Sequence, residues 1–148
     1  MPTLVWPVKA AFVQYVSRVG GTIYVGEGAW LEDDGFAFAG RVDDSGGVMR
    51  LRGTIIFDAH GGVLHLELTD PSLEFRVDGT WSLTVSTDES RTTRVRFAEA
   101  VETSRGTDHM TFALRLNDVG STLFGGNYSA GAELDSLTIE SIDRAPQP

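Results

Sequence analysis

The sequence predicts a mainly β protein, an antiparallel two-sheet sandwich or barrel-like fold with one N-terminal amphipathic helix. Three observations predict this class. Short apolar runs alternate with polar residues and are separated by turns rich in Gly and Asp. The chain has 17 glycines among 148 residues, which suits tight turns. Helical periodicity stands out in one window only, near the start of the chain.

The helix is predicted within residues 6–16, where apolar side chains recur at helical spacing. Pro7 suits a first helical turn, because its missing N–H would have no partner there. The glycines at 20 and 21 are expected to end the helix. Tyr15 carries the only hydroxyl on the predicted inner face. The members of that face are Val8, Phe12, Tyr15, Val16 and Val19.

The remaining chain reads as about nine or ten short strands. Asp78-Gly79 is a strong hairpin signal between two of them, and Asp70-Pro71 is expected to break a strand. The histidine at 60 is expected in the turn over residues 58–62. The predicted strands are 22–25, 35–42, 48–57, 63–69, 73–77 and 81–85, one through Val95 and Phe97, one through Phe112, Leu114 and Leu116, and 136–142, with turns at 26–28 and 43–47, an exposed loop at 86–90 and a Gly-rich segment at 124–131.

Length and charge limit the organisation and the partners. We expect a single domain over residues 1–148, with a core of about 6–142 and a frayed tail at 143–148. The formal net charge of −9 argues against nucleic acid or an anionic membrane as the main partner. No apolar run approaches the roughly 20 residues that span a membrane.

Cysteine is absent, so the fold does not depend on disulfides and thiolate metal sites are excluded. The first residues lack the charged start and apolar stretch of a secretion signal. The sequence as written therefore predicts a cytoplasmic protein, or an exported one if a leader has been removed.

No catalytic motif is recognisable: the Gly-x-Ser-x-Gly elbow, the phosphate-binding Gly-x-x-x-x-Gly-Lys and His-Glu-x-x-His are all missing. His65 and His109 are interpreted as surface residues. His60 differs, because the glycines beside it would let a flat ligand approach closely. From the residues alone, a turn residue at His60 and a core phenol at Tyr15 remain the favoured interpretations.

Several sequence blocks, taken in order, resemble the HtaA domain family, the haem-binding modules of actinobacterial iron-acquisition proteins. The resemblance covers essentially residues 6–142. The blocks are Trp6-x-x-Lys9-x-x-Phe12-x-x-Tyr15-Val16, Gly20-Gly21-Thr22-Ile23 with Gly28-Ala29, Gly53-Thr54-Ile55-Ile56-Phe57-x-x-His60-Gly61-Gly62-Val63-Leu64, Leu68-Thr69-Asp70-Pro71, and Phe124-Gly125-Gly126-Asn127-Tyr128-x-Ala130-Gly131-x-x-Leu134-Asp135.

The resemblance implies a haem-binding module for haem uptake, transfer or buffering. It implies that Tyr15 is the axial ligand of ferric haem b and that His60 hydrogen-bonds the tyrosine oxygen. Phe12 and Val16 are then expected to form part of the haem pocket wall. The implied partners are haem and a haem donor or acceptor protein. The chain departs from the family pattern at Ala59, where a glycine is usual, and at Asn127, where an aromatic is often found.

Two other functions remain open at this level. One is a small enzyme of biosynthetic metabolism that uses the same β scaffold to bind another apolar or aromatic molecule. The other is a protein–protein interaction module whose pocket is closed by side chains.

Overall fold

Eleven strands and two helices are found within the residues that the computed structural model describes, which are 2–43, 47–87 and 93–140. The helices are α1 (Ala10–Arg18) and α2 (Asp118–Leu123). The strands are β1 (Thr3–Trp6), β2 (Thr22–Gly26), β3 (Trp30–Glu32), β4 (Gly35–Val42), β5 (Val48–Arg52), β6 (Thr54–Ala59), β7 (Leu64–Phe75), β8 (Trp81–Ser86), β9 (Arg94–Arg105), β10 (His109–Leu116) and β11 (Glu133–Glu140).

Eight of these strands close into an antiparallel barrel. The ring runs β1, β4, β5, β7, β8, β9, β10 and β11, and β11 pairs with β1. Three strands lie outside the ring: β6 and β2 extend the sheet from the first half of β7, and β3 pairs with β4. The predicted mainly β class with a short N-terminal helix is confirmed, in its barrel form.

One apolar core fills the barrel and continues beneath α1. Strand alternation sends side chains such as Phe38 and Phe112 inward, where both are fully buried. Trp6 is also fully buried, and its indole Nε1–H donates to the carbonyl of Asp135 at 3.0 Å. This bond satisfies the one polar group of a large apolar side chain, and it ties the end of β1, next to the start of α1, to β11.

The predicted start of the helix was wrong. Trp6 belongs to β1, and α1 begins at Ala10, so Pro7 lies between the two elements rather than in a helical turn. The backbone of β1 pairs with β4 on one side and with β11 on the other. Pairing with strands from distant parts of the chain therefore decides the conformation of residues 3–6, and the local helical pattern decides the conformation only from Ala10 onward.

Two predicted strands have different limits. The strand predicted at 48–57 is divided at Gly53, whose φ of +144° and contact with Ala29 suit glycine alone: an added Cβ would lie 2.5 Å from the Ala29 Cβ. The break expected at Asp70-Pro71 is a bulge within the continuous strand β7. Asp70 has φ +49°, and the register with β8 shifts between Thr69 and Ser72.

The sequence pattern missed β1, β3 and α2. Six-residue α2 is too short to show a helical period, but Asn117 caps it, and the Asn117 Oδ1 accepts a bond from Gly120 N at 2.9 Å. The hairpin predicted at Asp78-Gly79 is present between β7 and β8. Residues 44–46 of one predicted turn, 88–90 of the predicted loop, 141–142 of the last strand and the tail 143–148 lie outside the described residues.

Neither helix in the described ranges is long and apolar enough to cross a membrane.

Candidate functional site

Helix α1 lies over the edge of the core and holds Tyr15 at the border between core and solvent. Phe12 and Val16 are 2% and 0% exposed, whereas the Tyr15 side chain is 38% exposed. The Phe12 ring packs edge-on against Phe57 and Phe124, at centroid distances of 5.1 and 5.2 Å. The buried half of the helix therefore fixes the direction in which the tyrosine points.

Gly21 brings the end of α1 unusually close to the end of β6. A Cβ added at this position would lie 2.4 Å from the Asp58 carbonyl oxygen and 2.8 Å from a Val16 methyl group. Only a residue without a side chain fits between the helix and the strand. The glycine pair of the sequence thus ends the helix and also sets its distance from the segment after Asp58.

His60 immediately follows β6 and opens a short 3-10 turn, His60–Gly62. Its φ is +54°, in the left-handed region, which costs a residue with a side chain on the order of 1 kcal/mol. Beside it, a Cβ added at Gly61 or Gly62 would meet nothing within 4 Å. A strained non-glycine residue next to open space often marks a functional position, because a glycine would adopt the same backbone more easily.

The two elements bring Tyr15 and His60 together. The Tyr15 Oη lies 2.6 Å from the His60 Nε2, and their ring centroids are 5.8 Å apart. The hydroxyl donates to Nε2 when the other ring nitrogen carries the proton. When the tyrosine oxygen is an anion, an Nε2–H donates to it instead. The pair can therefore stabilise either state of the oxygen.

Two exposed aliphatic residues lie near this pair along the chain. Val19 is one helical turn beyond Tyr15 and is 37% exposed, and Val63 comes directly after the 3-10 turn and is 88% exposed. Exposed aliphatic groups beside a paired phenol suit a ligand that offers a flat apolar surface. We refer to Tyr15, Val19 and Val63 as the open face.

Phe12 and Val16 are buried, whereas the wall of a binding pocket must offer exposed surface to the ligand. Both side chains are surrounded by the core, so they support α1 from below and leave no surface for a ligand in this arrangement. Their assignment as haem contacts remains a prediction. Val19 and Val63 are more exposed, and Val63 had no signal in the sequence beyond its position after the Gly-Gly turn.

A second histidine lies near the same end of the sheet. His65 is opposite Asp58 in the β6–β7 register, and its Nδ1–H donates to the Asp58 carboxylate at 2.6 Å. Both side chains are exposed, as the sequence predicted for His65. The pairing with Asp58 could have been foreseen only from the strand register.

Tyr128 is a second phenol near α1, and its surroundings are different. Its ring contacts Phe12 and Phe124, and the Lys9 ammonium group lies 5.4 Å from its centroid. Burial raises the pKa of the Tyr128 phenol above its ordinary value. A phenol that keeps its proton more firmly is a poorer anionic ligand.

Within the described ranges, no group of three or more His, Asp or Glu side chains could hold a metal ion. One phenol oxygen with one imidazole partner suits a metal that arrives already coordinated by another molecule. The residues present thus fit a metal complex with one open axial position.

Comparison with known proteins agrees with this fold. The HtaA family model, described as Htaa, matches residues 2–140. No curated protein matches the chain significantly in sequence.

Solved structures from Corynebacterium glutamicum are similar in fold. The N-terminal domain of HtaA is 20% identical, with 96% of this chain and 97% of that one covered and a TM-score of 0.77. The C-terminal domain of HtaA is 21% identical, with 93% of each chain covered and a TM-score of 0.75. The heme binding protein HtaB is 16% identical, with 93% of this chain and 90% of that one covered and a TM-score of 0.74.

Proposed function

Since this chain belongs to the HtaA family, we propose that it is a haem-binding module that holds ferric haem b through the Tyr15 oxygen, with His60 as the hydrogen-bond partner of that oxygen. The similar fold of HtaB, a protein described as heme binding, supports the proposal. Its role is to bind and release haem during uptake, transfer or buffering, and its partners are haem and a haem donor or acceptor protein.

The 2.6 Å contact between Tyr15 and His60 is the observation that carries the proposal. A phenol in water has a pKa near 10 and keeps its proton at neutral pH. To serve as a ligand it must lose that proton, and a neighbouring N–H then offsets part of the cost of the negative charge. Ferric haem supplies the Lewis acid that favours the anionic oxygen.

The open face supports the same ligand. Haem offers a flat apolar surface larger than any side chain, and Val19 and Val63 would lose contact with water when it binds. Gly61 and Gly62 add no side chain beside His60. The tyrosine lies at the border of the core, so the iron would be reached from solvent without opening the barrel.

Haemin titration of the purified protein tests the proposal. The wild type is expected to give a one-to-one complex whose visible spectrum shows tyrosinate–iron charge-transfer absorption and differs from that of free haemin. The variant Tyr15→Phe removes one oxygen and keeps the ring, so it is expected to lose this spectrum while retaining its fold by circular dichroism.

Tyr128→Phe is the matched control, because it removes the other phenol oxygen near α1. It is expected to leave the haem spectrum unchanged. If Tyr15→Phe binds haemin with the wild-type spectrum, or if the wild type gives the spectrum of free haemin, the proposal is wrong.

A further inference from the structure

A basic depression lies on the outer wall of the barrel, away from the Tyr15–His60 pair. Its volume is about 800 Å³, within the range of small-molecule sites. Four of the chain's twelve Lys and Arg side chains line it, although the protein carries a formal net charge of −9. These residues are Arg41, Arg50, Arg52 and Arg94, which we refer to as the arginine saddle.

The strand register places like charges directly opposite each other. Arg41 on β4 pairs with Arg50 on β5, and Arg52 projects from the same face of β5 two residues later. Like charges at directly opposed positions destabilise an antiparallel pair. Three positive charges therefore lie close together on this face of β4 and β5, although their mutual repulsion disfavours the pairing of the two strands.

Arg94 borders the depression from β9, and it is exposed like the other three. Its guanidinium donates to the Asp70 carbonyl and to the Thr84 Oγ1. Burial lowers the pKa of Arg94, and the charge of Arg50 lowers it further, whereas Asp70 and Glu74 act in the opposite direction. Arg50 and Arg94 are thus close enough to repel each other.

The N–H donors of the other three guanidinium groups are available to a ligand. Within residues 2–43, 47–87 and 93–140, Arg41, Arg50 and Arg52 make no side-chain hydrogen bond and no ion pair. The rest of the lining consists of the small residues Gly28, Ala39 and Gly40, together with Leu51, Ser72 and one acidic residue, Asp70. A Cβ at Gly40 would lie 1.8 Å from the Arg50 carbonyl oxygen, so a larger residue cannot fill this position. The depression is concave, basic and open.

We infer that the arginine saddle binds a small polyanion with at least two phosphate or carboxylate groups. Guanidinium groups bind such oxyanions through two parallel N–H bonds, and several of them converge here on one concave space. A bound polyanion would also remove the repulsion among Arg41, Arg50 and Arg94. Since the whole chain is acidic, a compact ligand fits better than a long nucleic acid or a membrane surface.

This site is separate from the proposed haem site. Gly53, which precedes β6, borders Arg52, and His60 follows the other end of β6. The six residues of β6 span about 20 Å at the usual rise of a strand. The inference does not depend on haem binding.

Isothermal titration calorimetry with pyrophosphate and with citrate tests the inference, with sodium chloride at matched ionic strength as the reference. We expect one-to-one binding and a rise in melting temperature beyond that given by the salt. Binding of pyrophosphate alone would identify a phosphate ligand, and binding of citrate alone a carboxylate ligand. Either outcome, or both together, supports the inference.

The double variant Arg50→Gln, Arg52→Gln should bind at least about tenfold more weakly, because two charged donors are lost. It should remain folded, since it removes a like-charge contact. Arg115→Gln, which removes one exposed charge on β10, is the control and should bind as the wild type does. Tyr15→Phe should also bind normally, which separates this result from the test of haem binding. An effect no larger than that of sodium chloride, or equal binding by the double variant, would overturn the inference.

Discussion

The Tyr15 oxygen lies 2.6 Å from the His60 Nε2, although 45 residues separate the two in the sequence. One residue comes from the edge of a helix and the other from a strained turn after a strand. Three features produce the contact: the buried face of α1, the close approach at Gly21 and the left-handed backbone of His60. Each feature can be changed separately.

Replacement of His60 by Gly should remove the backbone strain at this position and also remove the hydrogen bond to the Tyr15 oxygen, so its effects on stability and on haem binding should be opposite. Glycine adopts φ +54° easily, so the variant is expected to be as stable as the wild type or slightly more stable. Haem should dissociate faster by about ten- to a hundredfold, because a hydrogen bond to a charged oxygen contributes roughly 1.5–3 kcal/mol. Transfer of haem to apomyoglobin in a stopped-flow instrument measures this rate. His60→Asn, which tolerates the same backbone, should also release haem rapidly; release at the wild-type rate by both variants would contradict the role of His60.

Replacement of Gly21 by Ala should move the helix away from the strand. The added methyl group would overlap the Asp58 carbonyl, and overpacking of this kind costs about 1–3 kcal/mol. Chemical denaturation should show that loss, and haemin titration should show weaker binding. At Gly20 a Cβ would meet nothing within 4 Å. Gly20→Ala should therefore lose stability only through its positive φ and should retain haem affinity better than Gly21→Ala. Equal haem affinity in the two variants would argue against this role for Gly21.

Reduction of the bound haem should accelerate its release. An anionic phenol oxygen is a hard ligand and prefers Fe(III) to Fe(II). Dithionite under anaerobic conditions is expected to increase the rate of transfer to apomyoglobin by at least about tenfold. A neutral ligand such as imidazole lacks this strong preference for oxidised iron. An unchanged rate would therefore point to a ligand other than Tyr15.

The contribution of the hairpin between β7 and β8 to the stability of the protein should decrease in acid. Hydrogen bonds from the Thr80 hydroxyl and the Thr80 N–H lower the pKa of the Asp78 carboxyl below its ordinary value. A lowered pKa in the folded state means that the stabilisation is present above the unfolded value of about 3.9 and is lost as the pH falls through the folded value. The melting temperature of Asp78→Ala should thus fall below that of the wild type at neutral pH and approach it in acid. A difference that is constant with pH would show that the carboxylate charge is not involved.

Local periodicity predicted helix α1 only in part, because Tyr15 and Val19, expected on its inner face, are 38% and 37% exposed, and Val8 precedes the helix. Phe12 and Val16 are buried as their spacing requires, and the alternation of apolar residues in β4 and β8 marked both strands. The pattern failed at Trp6, because β1 is defined by pairing with strands that lie far along the chain. It failed again at Gly53, where the chain changes strand without interrupting the apolar alternation, and at Asp70, where a break was expected and the strand continues through a bulge.

At the candidate site, too, the local sequence pattern predicted some features and missed others. The residues alone favoured a turn at His60 and a core position for Tyr15, and only the family resemblance paired them. The structure brings them into contact, while their role as ligand and partner stays a prediction. The arginine saddle was not predicted from the sequence. Arg50 and Arg52 are near neighbours on β5, but Arg41 and Arg94 join them only through the pairing of β4 with β5 and the closure of the barrel that brings in β9.

The length of β6 has a consequence for how the two proposed ligands would affect each other. At physiological ionic strength, electrostatic interactions decay over about 8 Å, and β6 spans more than twice that distance. The negative charge of a polyanion at one end would thus be screened from the haem carboxylates at the other. Each ligand should bind with the same affinity whether or not the other is present, and a measured coupling between them would have to be transmitted by movement of the strand itself.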